Sequence, residues 1–291
     1  MSFLTLFSLN ACKSEVDLNP NFSYNGLREV TRTSIYSNVI NGKEFIGSQF
    51  KIYTEEDIVG QGSGMKLKRR FINKNNSGYL SKTLSWELAY MTPIEYEIKD
   101  HKIYAVEGFN DFTKTVVPNL HLPSKYEKEL SNPVFPAQFA QDLKLEWDLT
   151  HVLKGKIPLL ANVTHLVQQK KFGLVNIDSV ISLRVEPMGD IDCLRYNVHY
   201  TKTLKRNALI YEQMRALMKP KGEEYDVFKF KEGIGIGRLT VWIDISSSRI
   251  CKMSLNERQT NVIVHIETGE TQEVLSHRFN ESIYAYPEVK K

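Results

Sequence analysis

Apolar and polar side chains alternate with a period of two along much of this chain. That period belongs to half-buried β-strands, whose successive side chains point to opposite faces. Leu143, Leu145, Trp147 and Leu149 alternate with Lys144, Glu146, Asp148 and Thr150, which predicts a strand. Leu239, Val241, Ile243 and Ile245 alternate in the same way, followed by Cys251, Met253 and Leu255, and then by Val262, Val264 and Ile266. Ser246-Ser247-Ser248 and Thr268-Gly269-Glu270 are expected to turn this C-terminal meander, which continues into 271–286. Asn41-Gly42 lies between two extended runs and predicts a hairpin of 28–40 with 43–58, because both residues accept the positive φ of a type I′ turn. Two more pairings are expected, 65–72 with 79–90 and 94–98 with 103–106, each closed by a polar turn. Segments 162–169, 174–186 and 193–200 also read as strands.

Two stretches leave this period. Residues 118–142 hold Pro118, Pro123, Pro133 and Pro136, and the Ser124-x-x-Glu127 spacing caps a short helix at about 125–131. In 207–219 the period becomes helical: Ile210, Met214, Leu217 and Met218 share one face, and Pro220 and Gly222 stop the helix. The expected fold is mainly β (α+β): antiparallel meanders forming a curved sheet or half-barrel, with one or two short helices. Its organisation is read as an N-terminal β half at 26–125, a connector at 126–142 and a C-terminal β half at 143–291. The two halves suggest a diverged duplication without a clean sequence repeat.

Charge narrows the function. The 38 basic and 34 acidic residues leave a net charge of +4, too balanced for a nucleic-acid surface, so no nucleic-acid partner is expected. Lys66-Leu67-Lys68-Arg69-Arg70 reads as a solvated strand face. Gly60-Gln61-Gly62-Ser63-Gly64 reads as a turn, since no Lys-Ser/Thr pair and no helix follow it. Gly233, Gly235 and Gly237 lie on one strand face, where glycine permits a bulge, strong curvature or close approach by another segment. The seven histidines are scattered singly and no Cys-x-x-Cys exists, so neither metal nor cofactor is expected. Glu55-Glu56 and Glu223-Glu224 read as solvated pairs in polar turns, and no catalytic residue is assigned.

After residue 15 no apolar run approaches the ~20 residues that cross a bilayer. The N-terminus differs. Met1 to Cys12 reads MSFLTLFSLNAC: a short apolar stretch, then Leu9-Asn10-Ala11-Cys12. It resembles the lipobox of bacterial lipoproteins, with an apolar residue three before the cysteine and a small one just before it. The resemblance implies cleavage before Cys12 and acylation of that residue. Each buried acyl methylene contributes ~0.8 kcal/mol, so two or three chains hold a protein at a membrane. It also implies a place in the bacterial cell envelope, on the periplasmic or surface-exposed face of the outer membrane. The stretch lacks the basic opening of a full signal peptide, which leaves a start upstream of Met1 or a trimmed leader. Residues 13–25, rich in Asn, Asp, Ser and Pro, are expected to be a tether. With Cys12 acylated, Cys193 and Cys251 remain as an even pair, open to a disulfide in an oxidising periplasm or to two buried thiols.

The hairpin Gly237-Arg238-Leu239-Thr240-Val241-Trp242-Ile243-Asp244 and its return strand resemble those of periplasmic lipoprotein-carrier half-barrels and of uncharacterised β-rich envelope lipoproteins. That likeness implies a curved sheet around an apolar cavity, with Trp242 packed on the sheet and Asp244 starting the turn. Three functional readings follow. The first is a non-catalytic, membrane-tethered binding or assembly module for an envelope ligand or protein. The second is a carrier of an acyl chain or other hydrophobic ligand, with Met214, Leu217, Met218 and Trp242 as candidate binding residues. The third is a hydrolase built from dispersed residues, which clustered acids and histidines of strongly shifted pKa would favour.

Overall fold

The computed structural model describes residues 15–18, 26–40, 43–61, 64–71, 77–78, 94–99, 102–108, 149, 155–158, 164–167, 170–172, 175–204, 228–265 and 267–287. In chain order the N-terminal strands are β1 (Glu15–Leu18), β2 (Gly26–Ile40), β3 (Lys43–Gln61), β4 (Gly64–Phe71), β5 (Ser77–Gly78), β6 (Ile94–Lys99) and β7 (Lys102–Glu107). They are followed by β8 (Gly155–Pro158), β9 (Thr164–Val167), β10 (Lys170–Phe172), β11 (Val175–Met188) and β12 (Ile191–Leu204). The last three are long: β13 (Phe228–Asp244), β14 (Ile250–His265) and β15 (Thr271–Ala285).

Thirteen of these strands form one open, curved antiparallel sheet, in the order β10-β11-β12-β13-β14-β15-β2-β3-β4-β6-β7, with β9 added to β11 and β5 to β3. Sequential hairpins build almost all of it, the cheapest way to close antiparallel pairs. The two chain ends of the body meet inside the sheet, since β15 pairs with β2 from Leu275↔Val39 to Ala285↔Glu29. Strands from both halves of the sequence therefore share one continuous surface. Among the described residues β1 pairs only with β8, so Glu15–Leu18, within the stretch expected as a tether, is extended and joined to Gly155–Pro158.

The expected hairpin around Asn41-Gly42 is present, with Ile40 facing Lys43. So are the β6–β7 pair and the C-terminal meander. The glycine-rich stretch after Val59 closes the β3–β4 hairpin at Gln61↔Gly64. One pairing is corrected: β4 pairs with β6, Met65 facing Ile98 and Leu67 facing Tyr96, rather than with 79–90. Periodicity fixes which face a residue takes but not which strand lies beside it. A second correction concerns 143–150. Its one described residue, Leu149, is helical rather than extended, and only 3% exposed. The helices expected at 125–131 and 207–219 lie outside the described residues.

The register sorts side chains into two faces. On one, here called inner, Leu194, Tyr196 and Val198 meet Ile243, Val241 and Leu239, which meet Ile250, Met253 and Leu255 on β14. With Val175, Ile177, Val180, Tyr200 and Leu149 they form the apolar core. Burying each such side chain contributes about 1.5–3 kcal/mol. On the outer face of the same strand β13, Ile234 and Ile236 are 55% and 63% exposed.

Candidate functional site

The inner face changes character along the strands. Its apolar part occupies the Leu239–Ile243 end of β13; towards the other end of β13 come Gly237, Gly235 and Gly233, all buried. A row of glycines leaves β13 without side chains there, and the neighbouring strands fill the space. The ring of Tyr200 on β12 lies over Gly237, in the volume that a Cβ would occupy. The stem of Lys202 covers Gly235, with its Cγ and Cε 3.0 Å from an ideal Cβ. Both side chains thereby reach across β13 to Glu257 on β14. Tyr200 Oη donates to Glu257 Oε2 at 2.6 Å, and Lys202 Nζ pairs with the same oxygen at 2.8 Å. Gln259 Nε2 donates to the other oxygen, Oε1. Burial pushes the Glu257 carboxyl up, but Lys202, Tyr200 and Gln259 outweigh it and hold the group below the usual carboxylate range. Of the readings offered for the three glycines, close approach by another segment holds at Gly237 and Gly235.

Polar residues continue across this face. Asn261 Nδ2 donates to Ser276 Oγ at 3.2 Å, and Arg32 Nε to Ser282 Oγ at 3.2 Å. Farther on lies a second buried ionic group. Glu56 on β3, with no exposed surface, sits between Arg28 on β2 and Arg69 on β4. Arg28 donates through Nε at 2.7 Å and Nη2 at 2.6 Å to Oε2, while Arg69 donates through Nε at 2.7 Å and Nη2 at 2.5 Å to Oε1. Arg28 also stacks 4.9 Å from the Tyr284 ring, and Arg69 5.5 Å from that of Tyr96. Burial would raise the Glu56 carboxyl; Arg69 and Arg28 override it and lower it to about 2. Glu56 was expected to be solvated in a turn. It is instead an inner-face residue in mid-strand, and only its neighbour Glu55 points outward, to Arg70. The basic run splits likewise: Lys66 and Lys68 pair with Glu97 and Glu95 on the outer face, while Arg69 turns in.

The candidate residues fall as follows. Met214, Leu217, Met218 and Cys12 lie outside the described residues. Trp242 is on the outer face, between the guanidinium of Arg195 and the ammonium of Lys252, 5.4 and 5.3 Å from the ring, and its indole N–H donates to Glu186. Asp244 starts the turn as expected, its Oδ1 accepting from the Ser246 backbone N–H and hydroxyl at 2.8 Å each. Cys193 and Cys251 are free thiols. Among the described residues no group of three His, Cys, Asp or Glu side chains is placed to hold a metal.

No family model and no curated protein matches the sequence. Among solved structures the chain is similar to one titled "Lipid-protein interactions in lipovitellin", at 9% identity and a TM-score of 0.41. The match covers 90% of this chain and 25% of that one, so the chain spans about a quarter of its length. That likeness is too slight to carry an inference about this chain.

Sequence reading missed Tyr200, Lys202 and Glu257 as a unit. The signal was there in part: three alternating glycines announce a strand whose neighbours must cover it. Which residues cover it depends on a register between strands that are far apart in sequence.

Proposed function

We propose that this protein is a lipid-anchored envelope protein whose curved sheet is a non-catalytic binding module for a hydrophobic or amphiphilic ligand. One observation carries the reading: on a single inner face the apolar cluster of β12–β14 gives way, towards the glycine end of β13, to a group of polar side chains, before buried apolar residues return at Val30, Ile58, Leu67 and Tyr96. Leu194, Val198, Leu239 and Val241 supply the apolar end. Tyr200, Lys202, Glu257, Gln259 and Asn261 begin the polar part. An amphiphile has the same division, an acyl chain joined to a polar head. The two shifted carboxylates support a binding role over proton transfer. Glu56 and Glu257 are both held anionic by fixed cationic partners, whereas a general acid or base needs a pKa near the working pH. The membrane anchor rests on the lipobox-like Leu9-Asn10-Ala11-Cys12 alone.

Native mass spectrometry on protein purified from its host membranes tests the ligand: a copurifying lipid is expected, and its repeated absence overturns the binding reading. Fractionation tests the anchor separately. Cys12→Ala is expected to move the protein from the membrane to the soluble fraction, and unchanged attachment overturns the anchor.

A further inference from the structure

We infer that the polar group at the glycine end of the inner face holds the head of an anionic, hydroxyl-bearing lipid, its acid at Lys202 and its hydroxyl at Asn261. The inference rests on the binding reading above and names the chemistry of the head. Two buried side chains carry it, because each has hydrogen-bonding capacity that the described residues do not use. Asn261 is 8% exposed. Its Nδ2 donates to Ser276 Oγ at 3.2 Å, while its Oδ1 is buried and meets no donor among the described residues. Protein interiors rarely leave an amide oxygen in that state, so the orphan calls for a partner from outside the sheet. Lys202 is 7% exposed. An ammonium has three N–H donors. Among the described residues Lys202 meets one acceptor, Glu257 Oε2 at 2.8 Å.

Spacing and charge select the head. Gly235 faces Gln259 and Gly233 faces Asn261, so Asn261 stands one same-face position beyond Gln259 on β14. Glu257, where the Lys202 ammonium ends, stands one position before it. Same-face positions lie ~7 Å apart along a strand. A single oxygen cannot bridge that span, whereas a head with its acid and its hydroxyl on different atoms can. At the Lys202 end the charge favours an anion. Glu257 lies between Lys202 and Arg278, which faces it on β15. Two cations against one carboxylate leave this patch positive, and Tyr200 and Gln259 already donate to the two oxygens of that carboxylate. Asn261 Oδ1 only accepts, so the group that meets it must donate. A hydroxyl does so without bringing another positive charge to the patch. The next inner-face pair beyond Tyr200 and Gly237 is Val198 and Leu239, members of the apolar core, which gives the acyl chain its direction.

The full chain carrying Cys12→Ala, stripped of copurifying lipid, is titrated by calorimetry with amphiphiles of equal tail length below their micelle concentrations. Lauroyl-lysophosphatidylglycerol, which has both groups, is expected to bind roughly tenfold more tightly than dodecyl phosphate, which lacks the hydroxyl, or monolaurin, which lacks the acid. Dodecyltrimethylammonium is expected to bind most weakly. Lys202→Met is expected to abolish the advantage over monolaurin, and Asn261→Leu the advantage over dodecyl phosphate. Each variant keeps its affinity for the probe that lacks the lost contact, which shows that it is folded. Glycerol 3-phosphate, a head without a tail, is expected to bind weakly, and binding as tight as the lipid's overturns the lipid assignment. Equal affinity of the parent for all four amphiphiles overturns the head site but leaves a binder of apolar tails; binding of none overturns the binding reading with it. A preference that both variants keep, or losses spread evenly over every probe, overturns the roles of Lys202 and Asn261.

Discussion

Tyr200 donates its 2.6 Å hydrogen bond to Glu257 from β12 to β14, straight over Gly237 of the strand between them. The contact exists because Gly237 has no Cβ: any added carbon would enter the Tyr200 ring. A rigid aromatic ring in a closed face cannot step aside as a flexible chain can. Gly237→Ala is therefore expected to cost ~1–3 kcal/mol, the usual range for overpacking. Gly235→Ala is expected to cost less, because its Cβ would press at 3.0 Å on the aliphatic stem of Lys202. Urea unfolding of the two variants checks the order; equal costs would show that the Tyr200 ring moves freely.

Glu56 offers a sharper contrast with the residue beside it. Removing the charge in Glu56→Gln leaves Arg28 and Arg69 on the inner face without the carboxylate between them. Breaking a buried pair in this way costs about 3–5 kcal/mol. Glu55→Gln removes only the outer-face partner of Arg70, whose side chain is 61% exposed, and such pairs contribute about 0–1 kcal/mol. Thermal unfolding of both variants measures the difference. A similar loss in each would mean that Glu56 is reached by water.

How far these sites were legible follows from the kind of signal each needs. The hairpin at Asn41-Gly42 and the meander through Asp244 are written locally, in turn residues and period-two runs, and both are present. The adjacent carboxylates Glu55 and Glu56 could not be told apart locally, since neighbours on a strand face opposite ways and the buried side is decided by Arg28 and Arg69 across two pairings. Trp242 shows the same gap. Its alternation with Val241 and Ile243 places it opposite the core, but only the register shows that Arg195 and Lys252 flank its ring. Leu149 marks the reverse error: the alternation predicts a strand, and this residue is helical.

Acid should loosen the fold in a defined window. The Glu56 carboxyl lies at about 2 in the folded protein against an ordinary 4.5. The unfolded chain thus takes up the proton first, and stability falls with falling pH. The contribution is complete above about 4.5 and is lost progressively down to about 2. A shift of this size corresponds to roughly 3 kcal/mol. Glu257, also lowered, adds in the same direction. Urea titrations from neutral pH down to pH about 2 are expected to show this decline, and Glu56→Gln is expected to flatten most of it. A decline of undiminished depth in that variant would assign the acid sensitivity elsewhere.

Trp242 tests which face of the sheet would carry the proposed ligand. Its ring is stacked between Arg195 and Lys252 on the outer face, and its N–H donates to Glu186, which also pairs with Arg195 at 3.4 Å. Burial opposes ionisation of Glu186, and the hydrogen bond from Trp242 leads the interactions that lower its carboxyl nonetheless. Trp242→Phe keeps an aromatic ring for the two cations but removes that donor, at an expected cost of ~1 kcal/mol in unfolding free energy. If the ligand sits on the inner face, the lipid retained in native mass spectrometry is unchanged by this variant. Lys202→Met, which strips the ammonium from the polar part of the inner face, is expected to reduce it. The reverse pattern, retention lost with Trp242→Phe and kept with Lys202→Met, would move the binding surface to the outer face.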